Sequence, residues 1–213
     1  MDTKYIKAFA RFLSQTTDLL RRVHRWSHYD QIPENERETV ETHSLISVWL
    51  ASAMLAIERH EKTHKLNEAR ILLAAALHDV GEGRMGDIGY AIKNDPRIKE
   101  LLEAIEREYV ADFFNGFPPI IRFAFIDAYA VENESSLDGK FFKAVERVGY
   151  ILYAVPQVKR GRDQFLQVFV RQHEALVDLS EQFESVRRFY APYRDYVAEK
   201  LADLAARNED DDD

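Results

Sequence analysis

The residues best suited to chemistry are His78 and Asp79, an imidazole and a carboxylate adjacent in sequence. They follow an apolar stretch, residues 71–77, and precede a glycine-rich turn, while a second imidazole, His43, lies well upstream. Neutral imidazole and anionic carboxylate are the ligands that a hard or borderline divalent ion takes. Because neighbours in sequence cannot surround one ion, these ligands must converge from different helices. The pattern predicts a metal site.

The predicted site needs one more acid from a later helix. Glu146 is the first choice because apolar residues flank it, and an isolated acid on a core helix is costly to bury without a cation. Asp127, in a second apolar stretch, is the competitor. The residue pattern favours Glu146 and leaves Asp127 open.

Composition narrows the ligand chemistry and the domain organisation. The 213 residues include no cysteine, which removes disulfides, thiolate nucleophiles and Cys-ligated zinc together. Histidine and carboxylate ligands suit Mn, Co, Fe, Ni, Zn or Mg. The length suffices for one well-buried core, and no linker rich in Pro, Gly or Ser divides it. We therefore predict a single domain over residues 1–207.

Charge and hydropathy limit the partners. Glu209 and the aspartates at 210–213 supply five of the negative charges behind the net charge of −8, and residues 208–213 are predicted to be a disordered acidic tail. Long nucleic acid is not an expected partner, since that affinity rests on clustered Lys and Arg. No apolar run approaches the length that crosses a bilayer, and the start of the chain lacks a signal-peptide pattern. We expect a soluble, cytoplasmic protein with no membrane partner, and a homodimer is left open.

Apolar residues recur at helical spacing along almost the whole chain, and no segment sustains the alternation of a strand. Proline at the first helical position marks several starts, among them Pro96, Pro119 and Pro192. A polar loop is predicted over residues 27–38. The predicted helices span about residues 3–24, 41–58, 67–79, 95–113, 118–132, 137–154, 163–189 and 192–207. The expected fold class is an all-α helical bundle.

Several segments fall into the order of a known motif. They are Glu41-Thr42-His43-Ser44, Ala75-Ala76-Leu77-His78-Asp79-Val80-Gly81-Glu82, Gly86-Asp87 and Lys143-Ala144-Val145-Glu146. This order resembles the H...HD...D pattern of the HD-domain metal-dependent phosphohydrolases. Arg25 and Trp26, which precede the first histidine by a polar loop, are similar to a pair in the YfbR-type 5'-deoxynucleotidases. The resemblance covers roughly residues 5–155 and implies an HD-domain helical bundle.

The resemblance also implies roles for individual residues. The metal ligands would be His43, His78, Asp79 and Glu146, and the catalytic residues would be Glu82, which assists the attacking water, and Asp87. Arg25 and Trp26 would contact the phosphate and the sugar. The substrate loop would comprise Asp87, Ile88, Gly89 and Tyr90.

The chain departs from the family pattern in two ways. Glu146 stands where the family has Asp, which lengthens that ligand by one methylene, and the loop between Trp26 and His43 is longer than usual. Dinuclear HD proteins use extra histidines between the HD pair and the final acid, whereas residues 80–146 contain no histidine. The resemblance therefore favours a single metal ion and hydrolysis over oxygenation.

The sequence thus predicts a mononuclear HD phosphohydrolase of a nucleotide, with a deoxynucleoside 5'-monophosphate as the favoured small-molecule substrate. One alternative is a triphosphohydrolase that releases tripolyphosphate from a dNTP. Another is a catalytically inactive nucleotide sensor. The low number of Lys and Arg residues near the predicted pocket favours the monophosphate, since a triphosphate needs more positive charge.

Overall fold

The computed structural model describes the backbone of residues 3–211 and the side chains of residues 3–207. Within that range the elements are helical and no strand occurs, which confirms the all-α class. Short 3₁₀ turns lie at Glu34–Glu36, Val131–Asn133 and Asp163–Phe165. The helices are α1 (Lys4–Arg22), α2 (Val40–Glu61), α3 (Glu68–Leu77), α4 (Glu82–Met85), α5 (Tyr90–Lys93), α6 (Lys99–Phe114), α7 (Pro119–Ala130), α8 (Leu137–Lys159), α9 (Leu166–Gln182) and α10 (Glu184–Asp211).

The chain forms two compact units that interleave in sequence. The first comprises Met1–Trp49 and Glu68–Glu134, and the second comprises Leu50–Asn67 and Ser135–Asp213. In the first unit α1 packs against α4 and α6, and α3 packs against α7. The core of the first unit contains Leu77, Val80, Val110, Phe113, Phe114 and Phe117. In the second unit α8, α9 and α10 pack against one another. The single domain over residues 1–207 stays a prediction.

The C-terminal helices break at Phe183, so the predicted boundary just before Pro192 is wrong. Phe183 is extended (φ −118°, ψ 119°) and fully buried, with its ring centroid 5.3 Å from that of Phe141. At the start of α10 the Ser185 amide donates to the Glu58 carboxylate over 2.7 Å. Pro192 lies inside α10. These long-range contacts set the break, and a local pattern does not reveal them.

The helix predicted to begin at Asp95-Pro96 begins at Lys99. Residues 96–98 form a turn instead. The Asp95 carboxylate accepts a hydrogen bond from the Arg97 backbone amide at 2.9 Å, and this local bond stabilises the turn in place of a first helical turn. The predicted start at Pro119 is confirmed. Proline alone therefore marks one of these two helix starts and not the other.

Helix α2 is long and apolar enough, by length and composition alone, to cross a membrane, with a mean hydropathy of 1.4 in its most apolar window. The prediction that no apolar run approaches that length is therefore wrong, because the apolar residues of α2 outweigh its polar ones over that window. Of that window, 44% is buried inside the protein, and α2 carries the buried polar residues His43 and Glu58, as core helices can. The absence of a membrane partner stays a prediction.

The predicted acidic tail, residues 208–213, overlaps the last helix at residues 208–211. The backbone of α10 continues through Asp211. Residues 212–213 lie outside the described part of the chain.

Candidate metal centre and active site

His78 and Asp79 are the first two residues after α3, at the helix exit that the sequence predicts. The His78 ring is buried, and its Nδ1 lies 3.1 Å from the carbonyl oxygen of Ala75. When Nδ1 donates a proton to that carbonyl, Nε2 carries the lone pair that a metal ion needs. The backbone of the helix end thus orients this ligand.

His43 approaches the same point from the first turn of α2. Its Nε2 lies 3.3 Å from His78 Nε2, and both imidazoles are buried. The Asp79 Oδ2 atom lies 3.3 Å from His78 Nε2 and 3.6 Å from His43 Nε2. The three predicted ligands thus lie close together within the first unit, and their binding of a metal ion stays a prediction.

Asp79 is held in its charged form. Burial opposes ionisation, but the interactions with His78 and with the Arg25 guanidinium hold the pKa of the Asp79 carboxyl well below its usual range. The Arg25 guanidinium also donates a hydrogen bond to Asp79 Oδ2. Two imidazoles and one ionised carboxylate form a donor set that fits a divalent cation.

The two candidates for the remaining ligand have different environments. Glu146 is a buried residue of α8, in the second unit, among buried apolar neighbours of the same helix. Asp127, on α7 in the first unit, is a bidentate partner of Arg70, with oxygen–nitrogen distances of 2.7 and 3.1 Å. Arg70 also donates to Glu134. The Asp127 carboxylate is therefore engaged in an ion-pair cluster, which argues against it as a metal ligand.

Glu82 is the first residue of α4, three residues beyond Asp79, and only 3% exposed. Its Oε1 accepts a hydrogen bond from Lys93 Nζ at 2.5 Å, and its Oε2 lies 3.6 Å from Arg25 NH1. Burial, together with the Asp79 charge, raises the pKa of the Glu82 carboxyl. A buried carboxylate with a raised pKa beside a metal-capable cluster is suited to accept a proton.

Lys93 and Glu106 extend this charge network, and the sequence prediction gave neither a role in the site. Burial opposes the charge of Lys93, but Glu82 and Asp79 raise the pKa of its ammonium group. Burial raises the pKa of Glu106, which also shares a hydrogen bond with Tyr129. A Cβ atom at Gly81 would lie 2.5 Å from Glu106 Cγ. The glycine therefore leaves room for the Glu106 side chain next to the turn that follows Asp79.

The predicted substrate residues Arg25 and Trp26 are buried beside this cluster, at 8% and 9% exposure. Trp26 has a left-handed backbone, φ 63°. Its indole N–H donates to Glu38 Oε1 at 3.0 Å, and its ring packs edge-on against Tyr29. Glu38 was missed by the sequence prediction, because an acid in a polar loop without helical periodicity gives no signal of its own.

The predicted substrate loop begins at Asp87, whose side chain ties that loop to the Trp26 turn. Its Oδ2 accepts the Ser27 backbone amide at 3.0 Å and the Ser27 hydroxyl at 3.1 Å. Gly89 faces the His28 imidazole, since a Cβ at that glycine would lie 3.5 Å from the ring. Ile88 is half-buried, and Tyr90, the first residue of α5, is exposed. The structure thus brings this loop to the Arg25–Trp26 segment, and its contact with substrate stays a prediction.

The chain is similar to known proteins in sequence and in fold. A protein named 5'-deoxynucleotidase from Yersinia pestis (strain Pestoides F) is 26% identical over 163 residues, which cover 74% of this chain and 79% of that protein. A solved HD-domain phosphohydrolase from Listeria innocua superimposes with a TM-score of 0.71 at 17% identity, over 91% of this chain and 90% of that one. A predicted metal-dependent phosphohydrolase from Magnetospirillum magnetotacticum MS-1 gives a TM-score of 0.59 at 17% identity, over 93% and 96%. These two structures share the fold, which confirms the HD-domain helical bundle.

The sequence family described as 5'-deoxynucleotidase YfbR-like matches residues 11–197. That span includes the HD pair, the upstream histidine and the Arg25–Trp26 segment. Since the match covers far more than half of the chain, this protein belongs to the YfbR-like 5'-deoxynucleotidase family.

Proposed function

We propose that this protein is a metal-dependent phosphohydrolase that converts a deoxynucleoside 5'-monophosphate to a nucleoside and inorganic phosphate. The observation that supports this most directly is the juxtaposition of three metal-capable donors, His43, His78 and Asp79, with the buried acid Glu82 and the guanidinium of Arg25. The 5'-deoxynucleotidase name of the Yersinia relative supports the choice of substrate.

The proposed ligands are His43, His78, Asp79 and Glu146, around one divalent ion drawn from Co, Mn, Fe, Ni, Zn or Mg. A bound divalent ion supplies Lewis acidity at a phosphoryl oxygen and lowers the pKa of water. Glu146 is proposed from its place in the motif, and its burial on α8 supports that choice, since a buried carboxylate favours a cationic partner.

Glu82 is the proposed general base. Its carboxylate accepts the proton of the attacking water, and the Lys93 ammonium group at 2.5 Å keeps one carboxylate oxygen in a fixed direction. Arg25 neutralises phosphate charge, because its guanidinium matches the geometry of phosphate oxygens. Asp87 keeps the substrate loop against the Trp26 turn through Ser27, and we propose that it acts in catalysis through this placement.

Trp26 is proposed to face the sugar and to discriminate against a 2'-hydroxyl. We propose further that Ile88, Gly89 and Tyr90 border the nucleotide. The enzyme is proposed to be cytoplasmic and to act on free nucleotides, without long nucleic acid or membrane as a partner, and a homodimer stays open as its assembly. The acidic net charge supports the choice of a small substrate.

The test combines metal analysis with a product screen. The purified protein is analysed for bound metal and then assayed with deoxynucleoside and ribonucleoside monophosphates and with dNTPs, in the presence of Co²⁺, Mn²⁺, Zn²⁺ or Mg²⁺. We expect stoichiometric divalent metal, and release of nucleoside and phosphate from the deoxynucleoside monophosphates. Tripolyphosphate from a dNTP would establish the triphosphohydrolase alternative. Metal-loaded protein that releases neither product would contradict the proposed activity and favour a sensor.

A further inference from the structure

Glu38 lies two residues before α2, and its side chain meets three functional groups at one oxygen. Its Oε1 lies 3.0 Å from Trp26 Nε1, 3.5 Å from Arg25 Nε and 3.6 Å from His43 Nδ1. The Glu38 side chain is only 9% exposed. We propose that Glu38 is a positioning residue that couples the metal-ligand imidazole of His43 to the substrate-binding pair Arg25 and Trp26. This inference rests on the proposed function for the roles of that pair.

A short backbone pairing holds Glu38 in place. The Arg25 amide donates to the Glu38 carbonyl at 2.9 Å, and the Val40 amide donates to the Val23 carbonyl at 2.9 Å. His24 and Thr39 form an antiparallel bridge between these two hydrogen bonds. Because the pairing uses main-chain atoms, it survives a change of the Glu38 side chain. The side chain can therefore be altered without removing the local fold.

The contact with His43 determines which nitrogen of the ring is available to a metal ion. His43 Nε2 faces His78 and Asp79, whereas Nδ1 faces the Glu38 carboxylate. A carboxylate beside Nδ1 favours the tautomer that is protonated there and leaves the lone pair on Nε2. Glu38 therefore favours the tautomer of His43 that can bind a metal.

The contacts of Glu38 with Trp26 and Arg25 orient the two side chains proposed to bind the substrate. The indole N–H bond to Glu38 restricts the rotation of the Trp26 ring, which sets the orientation of the proposed sugar contact. The Arg25 guanidinium links Glu38, which lies near its Nε, to Asp79, which pairs with a terminal nitrogen. One side chain thus sets the position of the groups that would hold both metal and substrate.

The test compares Glu38→Ala and Glu38→Gln with Glu34→Gln, which makes the same charge change at an exposed position of the same loop. Metal-free protein is titrated with Co²⁺ by calorimetry. We expect Glu38→Ala to bind Co²⁺ about 10- to 100-fold more weakly, the range typical of groups that orient a ligand, and Glu34→Gln to match the wild type. In Glu38→Gln the amide oxygen can still face His43 Nδ1, so we expect its Co²⁺ affinity to lie between those of Glu38→Ala and the wild type. Wild-type Co²⁺ affinity in Glu38→Ala would overturn the proposal.

A second measurement follows the indole. Trp26 and Trp49 are the two tryptophans of the chain, and Trp49 is 63% exposed, so Trp49→Phe leaves Trp26 as the fluorescent reporter. In that background Glu38→Ala should shift the Trp26 emission and reduce the preference for deoxy- over ribonucleotides, whereas the Glu38→Gln amide oxygen still accepts the indole N–H and preserves both. Unchanged emission in Glu38→Ala would also overturn the proposal. The Co²⁺ and fluorescence measurements need no turnover, so a failure of the proposed nucleotidase activity is recognised separately.

Discussion

The replacement Glu82→Gln separates proton transfer from metal binding. Glutamine has the shape of glutamate and its amide oxygen can still accept the Lys93 hydrogen bond, but it cannot take a proton from water. Loss of a general base typically reduces turnover by about 10²- to 10⁴-fold, which corresponds to about 3–5 kcal/mol of transition-state stabilisation. Since Glu82 is only 3% exposed, bulk water has little access to replace it. We expect turnover to fall by at least about 10²-fold.

Folding should be nearly unaffected by this replacement. The ion pair with Lys93 is lost, but the Lys93 side chain is 39% exposed, so solvent screening limits the cost to about 1 kcal/mol or less. The raised pKa of Glu82 shows that burial of its charge is itself unfavourable, and glutamine removes that charge. Thermal unfolding should therefore shift by only about 2–4 °C or less for a chain of this size.

The assay is phosphate release under saturating metal, with metal content measured on the same preparation. Glu106→Gln is the matched control, because Glu106 is a second acid with a raised pKa near Lys93 but hydrogen-bonds Tyr129. We expect full metal occupancy in both variants and a large loss of turnover only in Glu82→Gln. Equal losses in both variants, or a loss of metal in Glu82→Gln, would refute the assignment of Glu82 as the base.

The other predictions concern the ligands and the phosphate contact. Glu146→Gln should lower metal occupancy, whereas Asp127→Asn should retain the metal, as metal analysis would show. Asp127→Asn should lose only part of the Arg70 ion pair, and thermal unfolding should show a cost of at most about 1 kcal/mol because the Asp127 side chain is 43% exposed. The reverse pattern of metal occupancy would make Asp127 the ligand. Asp79→Ala should abolish both stoichiometric metal and phosphate release while circular dichroism shows unchanged helical content, and an active variant would place the metal elsewhere. Arg25→Ala should reduce turnover of every nucleotide by a similar factor, because a guanidinium contacts phosphate and not base, and a base-dependent loss in kinetic assays would contradict this role.

The convergence of the three donors could be predicted from sequence because each lies at a recognisable place. His78 and Asp79 follow an apolar stretch with helical spacing, and His43 lies in the first turn of the next such stretch upstream. Because both helix ends are clear in the sequence, the side chains at those ends could be expected to meet. The same periodicity predicted α1, α2, α3, α7 and α8 with boundaries wrong by only a few residues.

Glu38, Lys93 and Glu106 could not be assigned in this way, since their roles depend on contacts that the chain makes at a distance. Glu38 reaches the site through the pairing of residues 23–25 with residues 38–40, which has no helical period. Lys93 lies at the end of α5, a single turn within the predicted glycine-rich region, too short to give a periodic signal. Glu106 is one of five acids on α6, and what distinguishes it, its burial and the room left by Gly81, is visible only in the folded chain.

The left-handed backbone of Trp26 opposes the stability that its buried side chain supplies. A bulky residue at φ 63° costs roughly 1–2 kcal/mol relative to a residue that tolerates this region. Glycine or asparagine would relieve that cost. Trp26 is nevertheless only 9% exposed, and the loss of a buried indole costs about 3–5 kcal/mol, which exceeds the gain. The packing of the indole against Tyr29 and its hydrogen bond to Glu38 therefore offset the strained backbone, and Trp26→Gly should unfold more easily than the wild type in thermal denaturation.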